Sequence, residues 1–151
     1  MSVSISNIEK DRIHSLLKLH VSQKQIDWVF IPEEIINEAN IHPFWHIKGI
    51  YLFDELIGFV VLEYNENENK KTSEFWLNDF LIDERFQGKG YGKKVLDSII
   101  DHVKNDLHFN KIYLRVAIEN IPARSLYTKI GFQSTNNFVE GGKEEIFALD
   151  I

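Results

Sequence analysis

The chain has 151 residues, 44% of them hydrophobic, enough for one compact domain with a sizeable core, and no apolar run approaches the roughly 20 residues that cross a bilayer. It has no cysteine, which excludes disulfides, thiolate metal sites and a cysteine nucleophile together. A net charge of −6 argues against nucleic acid as main partner and tilts toward cations, and the opening "MSVSISNIEKDRIHSLL" lacks a secretory profile, so a cytoplasmic protein is expected.

In chain order, "NIEKDRIHSLLKLH" carries Ile8, Ile13, Leu16, Leu17 and His20 at helical spacing. A second helical segment falls within "QKQIDWVFIPEEIINEAN", restarted at Pro32, which suits a first helical turn. "HIKGIYLFD" and "LIGFVVLEY" are branched and aromatic and read as a hairpin turning at "DE". "NENENKK" is a polar loop and "TSEFWLNDFLI" a third strand. Next comes "DERFQGKGYGKK", with Gly88, Gly90 and Gly92 at alternate positions. The helix that follows bears an apolar stripe of Val95, Leu96, Ile99, Ile100 and Val103. "KIYLRVAI" alternates as a strand, with Ile112, Leu114, Val116 and Ile118 on one side. "NIPARSLYTKIGF" is a helix with Asn120 as N-cap, Pro122 in its first turn and Gly131 as its stop. A closing hairpin turns at Gly141-Gly142. The resulting order is helix, helix, three strands, helix, strand, helix, two strands: one mixed α/β domain over residues 1–151 with one central sheet.

A glycine-rich joint between strand and helix lets the backbone approach a ligand closely and aim several N–H groups outward. The helix adds its positive end, and Lys89, Lys93 and Lys94 add charge, which makes an anion site fit for a pyrophosphate. The plainer reading is a turn with solvated lysines. Neither the P-loop spacing nor the dinucleotide fingerprint is met.

Gln87-Gly88-Lys89-Gly90-Tyr91-Gly92 resembles the Q/R-x-x-G-x-G/A signature of the GNAT N-acetyltransferases. Residues 119–132, "ENIPARSLYTKIGF", resemble that family's second half-motif, N-x-x-A-x-x-L-Y-x-K-x-G-F. The resemblance runs from about Gly49 to the end and is weak over the first forty-five residues. It implies a single-domain GNAT fold, α/β (α+β), whose mixed central sheet splays in the middle between flanking helices. It also implies acetyl-CoA as co-substrate, no metal, and direct attack of a primary amine on the thioester.

By the same resemblance, the strand end Asp79-Phe80-Leu81-Ile82 would offer free amides, from Leu81 or Ile82, to the acetyl group. Gln87, Gly88, Lys89, Gly90, Tyr91, Gly92 and Lys93 would hold the pyrophosphate. Asn120 would meet the pantetheine, Ala123 would give room for it, and Lys129 belongs to the same motif. Tyr127 is the implied proton donor to the sulfur; as part of a helical stripe with Ala123, Leu126 and Ile130 it could equally be core. Asp79 is the candidate base and amine anchor, with Glu74 as an alternative. Asn78 stands where some members have a carboxylate, and strict strand alternation would let only one of Asn78 and Asp79 face the amine.

The N-terminal part, with "LHVSQ" and an aromatic after it, is similar to bacterial spermine/spermidine acetyltransferases. Trp28, Glu33 and Glu34 would then suit a polycation, although the two acids also fit plain helix-start chemistry. "HPFWH" (42–46) lacks the company a metal site needs. The expected acceptor is a polyamine. A protein N-terminus, an aminoglycoside, or a non-catalytic acyl-CoA sensor are the alternatives. No nucleic acid or membrane partner is expected, and terminal hairpins in this family point to a homodimer.

Overall fold

The structure, a computed structural model, describes residues 2–69 and 73–151. Its elements are β1 (Val3–Asn7), α1 (Pro32–Glu38), β2 (Trp45–Leu52), β3 (Glu55–Glu63), β4 (Phe75–Ile82), α2 (Tyr91–Asn105), β5 (Lys111–Ala117), α3 (Ile121–Ile130), β6 (Gln133–Val139) and β7 (Glu144–Asp150). The expected order holds with one omission, since a strand precedes the first helical segment. β1 is short and pairs antiparallel with β2, and its Ser-Ile-Ser alternation offers little burial to announce it. The first helical segment is a 3-10 helix, Lys10–Lys18, without a side-chain cap. The segment after it is a single 3-10 turn, Gln25–Asp27, ahead of α1. Lys70, Lys71 and Thr72, which ended the expected loop and began the expected third strand, lie outside the described residues.

The strands form one sheet in the order β1-β2-β3-β4-β5-β7-β6. Val60, Leu62, Phe75 and Leu77 pack on one face with Val95, Leu96, Ile99 and Val103 of α2. Phe59, Val61 and Leu81 face the other way, onto Leu16, Leu19 and Ile35. The stripe expected on α2 is therefore real, while Ile118 lies past the end of β5 and is 39% exposed.

β4 and β5 are parallel and pair only over Phe75–Leu77 with Ile112–Leu114. Past that point both strands continue without pairing each other, to Ile82 and Ala117, so the sheet is open between their carboxyl ends. Open α/β sheets bind ligands at such a crevice, because unpaired backbone and loop ends converge there.

Candidate active site

At the mouth of the crevice β4 carries a bulge. Val61 pairs with Asp79 and Leu62 with Leu77, so Asn78 is an extra residue on β4. A bulge resets the alternation of side chains. The strict alternation expected from the sequence is overturned. The Asn78 side-chain amide donates to Glu63, Asp79 accepts from the Phe30 N–H, and both line the same cavity.

That cavity has a volume of about 420 Å³ and lies between the segment Ile26–Phe30, β4, β5, α3 and the start of β7. Asp79 forms part of its wall and is only 6% exposed. One carboxyl oxygen accepts from Phe30 N–H at 3.3 Å, while the buried Oδ2 has no hydrogen-bond partner among the described residues. Burial pushes the Asp79 carboxyl well above its ordinary range, against the pull of the Phe30 and Phe80 N–H groups; the nearby negative charges of Glu34 and Glu144 push the same way as burial. Tyr127, on α3, opens onto the same cavity. Burial, then the charge of Asp79, pushes its phenol up, so the O–H stays on across the neutral range. Five carboxylates line the cavity (Asp27, Glu34, Asp79, Glu140, Glu144) against two cations, Arg115 and Lys143.

The ladder between β3 and β4 decides which amides face the crevice. Asp83 N–H donates to Ile57 O at 2.7 Å, so antiparallel alternation turns the Leu81 amide toward β3 and those of Phe80 and Ile82 away from it. Of the two amides expected to be free, Ile82 has the right orientation and Leu81 does not.

The glycine joint adopts the conformation its composition invites. Gly88 and Gly90 have φ of +75° and +85°, and a Cβ at either would meet nothing within 4 Å, so their backbone is open to a ligand. α2 has no side-chain cap and no acid in its first turn, which leaves the helix start to an anion. These residues fit a diphosphate.

The cations are less free than the sequence implied. Arg85 forks onto Asp83 (Nε–Oδ1 3.1 Å, Nη2–Oδ2 2.9 Å), Lys93 pairs with Asp97 at 2.9 Å, and Lys89 lies over the Phe86 ring. Gln87 donates its side-chain amide to Ile82 O at 2.7 Å, and so ties the loop to the end of β4. Tyr91 is buried in the core, so only its backbone can serve a ligand.

Asn120 caps α3 by accepting from Ala123 N–H (3.3 Å), and both residues line the cavity. Trp28 and Glu34 also line it; Glu33 does not, and Glu34 accepts from Ile31 N–H at 3.2 Å, so helix-start chemistry accounts for part of this pair. Lys129 is exposed on the last turn of α3. Glu74 is exposed just before β4, away from this cavity, and accepts from Trp76 Nε1. His42 stacks on Trp45 and bonds Glu38, and His46 stacks on Tyr64. Sequence reasoning missed Phe30, Arg115, Lys143 and Glu144, which reach the cavity from distant segments, and Glu63, an ordinary strand-end acid in sequence.

The profile of the acetyltransferase (GNAT) family matches residues 13–132. A spermine/spermidine N(1)-acetyltransferase of Bacillus subtilis is 36% identical over 137 residues, 88% of this chain and 89% of that protein. Among solved structures, the spermidine N-acetyltransferase of Vibrio cholerae in complex with CoA and spermine superposes with a TM-score of 0.72 at 23% identity, covering 99% of this chain and 94% of that one. The aminoglycoside acetyltransferase AAC(6')-Ib in complex with coenzyme A superposes at 0.79 with 16% identity, over 99% and 95% of the two chains. The two structures share the fold. With its open sheet, diphosphate-ready loop and matching profile, the chain belongs to the GNAT family and is an acetyl-CoA-dependent N-acetyltransferase.

Proposed function

We propose that the acceptor is a polyamine such as spermidine or spermine. The observation that carries this reading is the acidic cavity with Asp79 in its wall: five carboxylates against two cations, one of the five buried with an oxygen that lacks a donor among the described residues. A primary ammonium is a donor-only cation and matches such a wall, and the indole of Trp28 offers a second kind of attraction. The B. subtilis relative bears spermine and spermidine in its name, which agrees.

Bound acetyl-CoA supplies an activated acyl carbon. The loop from Gln87 to Lys93 would hold its diphosphate through backbone N–H groups, Asn120 and Ala123 would flank its arm, and the outward Ile82 amide would offer a hydrogen bond to a carbonyl. Asp79 is the proton acceptor. An amine with a pKa near 10 arrives charged, and a carboxylate whose pKa is raised by burial is a better base than a solvated one. Tyr127, which lines the same cavity, keeps its proton and serves as the donor. A cytoplasmic location accords with this chemistry. A homodimer through the β6–β7 hairpin accords with Phe138, 51% exposed on the outer strand; light scattering checks it.

Free-thiol release from acetyl-CoA, measured with a panel of amines, tests the reading. Turnover with spermidine and spermine at the lowest KM is expected. Preference for a peptide N-terminus or an aminoglycoside would move the acceptor, and CoA binding without release for any amine would make the protein a sensor.

A further inference from the structure

The acidic cavity continues past Asn78. A second hollow of about 410 Å³ shares Asn78 and Arg115 with the first and runs toward the start of β4. Glu63, Glu68 and Glu74 line it, with Trp76 and Tyr64 as aromatic walls. We infer that this hollow takes the next ammonium group of the acceptor, with Glu63 as its carboxylate. The inference rests on the polyamine reading and deepens it.

The sheet register sets the spacing. Asp79 pairs with Val61, and Glu63 lies two residues further along β3, paired with Trp76. Diagonal neighbours on one face lie about 7–8 Å apart. Nitrogens joined by three or four methylenes lie on the order of 5–6 Å apart when extended, given bonds near 1.5 Å. An amine held at Asp79 therefore places its next nitrogen within reach of Glu63. The bulge assists, because the Asn78 amide donates to the Glu63 carboxylate and anchors it beside the passage between the hollows.

Polar atoms in need of donors stand along this path. Asp79 Oδ2 is buried without a partner in the first hollow, and Ser73 Oγ is buried without a partner among the described residues in the second. An ammonium group supplies donors and no acceptor. Trp76 stacks on Tyr113, with ring centroids 5.1 Å apart, so its indole is held in place as a wall. Arg115, the cation common to both hollows, lies close enough to Glu144 to lower that carboxyl's pKa, against the larger upward push of burial. Glu34 and Glu63 each already accept one hydrogen bond, from the Ile31 N–H and from the Asn78 amide; Glu63 is the second carboxylate because it lines the hollow that continues past Asn78, which Glu34 does not.

The test compares spermidine with butylamine, a monoamine that needs no second subsite, in thiol-release assays of wild type, Glu63→Gln and Glu34→Gln. Glu63→Gln is expected to raise the ratio of spermidine KM to butylamine KM about tenfold, the scale of one charge-assisted contact, and Glu34→Gln to raise it less. Residual butylamine turnover reports that the variant is folded; if Glu63→Gln does not fold, Glu74→Gln carries the test with an expected rise of about threefold. An unchanged ratio, or a larger effect at Glu34, overturns the subsite and leaves the polyamine reading standing. A wild type that neither turns over spermidine nor binds it by calorimetry overturns that reading itself.

Discussion

Asp79 and Asp83 stand four residues apart around the end of β4, at 6% and 0% exposure, and the fold treats them in opposite ways. Asp83 accepts from His20 N–H (2.8 Å), from Arg85 N–H (2.9 Å) and from the Arg85 fork. Burial raises its pKa, but those bonds outweigh burial and hold the carboxyl below its usual range. Asp79 has a long bond from Phe30 N–H, the pull of the Phe80 N–H, and an oxygen with no partner among the described residues, and burial wins. One aspartate fastens the segment at His20 to the glycine joint. The other is left with an unpaired oxygen, among the described residues, in the wall of the cavity proposed to take the acceptor amine. Buried polar groups are normally paired, so an orphan in a cavity wall marks a ligand's place, whereas a fully bonded one marks architecture.

The sharpest way to break this contrast is Asp79→Asn. Turnover with the best amine is expected to fall by about 10²–10³, the usual worth of a positioned base. The Tm should rise by about 2–4 °C, since the amide removes an uncompensated charge. A stability loss with activity intact would make Asp79 architectural. Next in size is Tyr127→Phe. Its kcat should drop about 10–100-fold with CoA affinity by calorimetry held within twofold, because a donor that acts in the transition state leaves binding alone. Equal activity would return Tyr127 to the core.

Asp83→Asn should do the reverse of Asp79→Asn, lowering Tm by roughly 5 °C through the weakened fork, with a smaller change in activity of the folded enzyme. The pH dependence of urea midpoints separates the two residues further. The depressed pKa of Asp83 gives stability that is complete above its unfolded value near 3.8 and lost as pH falls through the folded value. The raised pKa of Asp79 gives a cost that begins as pH rises above 3.8 and is complete beyond the folded value. The Asp79→Asn advantage should therefore widen with rising pH and then level off; a constant gap would contradict the burial effect. The smallest effect belongs to Lys93→Ala, about twofold in the KM for acetyl-CoA, because this exposed lysine is already paired with Asp97.

Local signals were legible in the sequence wherever one segment decides its own state. The apolar stripe of α2, the Asn120 cap and the glycine joint each depend on residues a few positions apart, and the structure shows each as expected. The two half-motifs likewise pointed to the family before any fold was seen. β1 was not legible, because a five-residue edge strand is stabilised by its partner β2 and not by its own pattern.

Pairing between distant segments was decided by tertiary structure alone. The Asn78 bulge exists only relative to β3, and it turned two residues expected on opposite faces toward one cavity. Phe30 reaches Asp79 across 49 residues, and, more locally, Lys93 of the expected anion site is paired with Asp97. The sequence by itself determined the chemistry available, a diphosphate joint, a tyrosine and an excess of carboxylates, because composition and short spacing settle which groups exist. Which carboxylate is left unsatisfied, and which amides face the open sheet, depended on strand register, a property that no single segment contains.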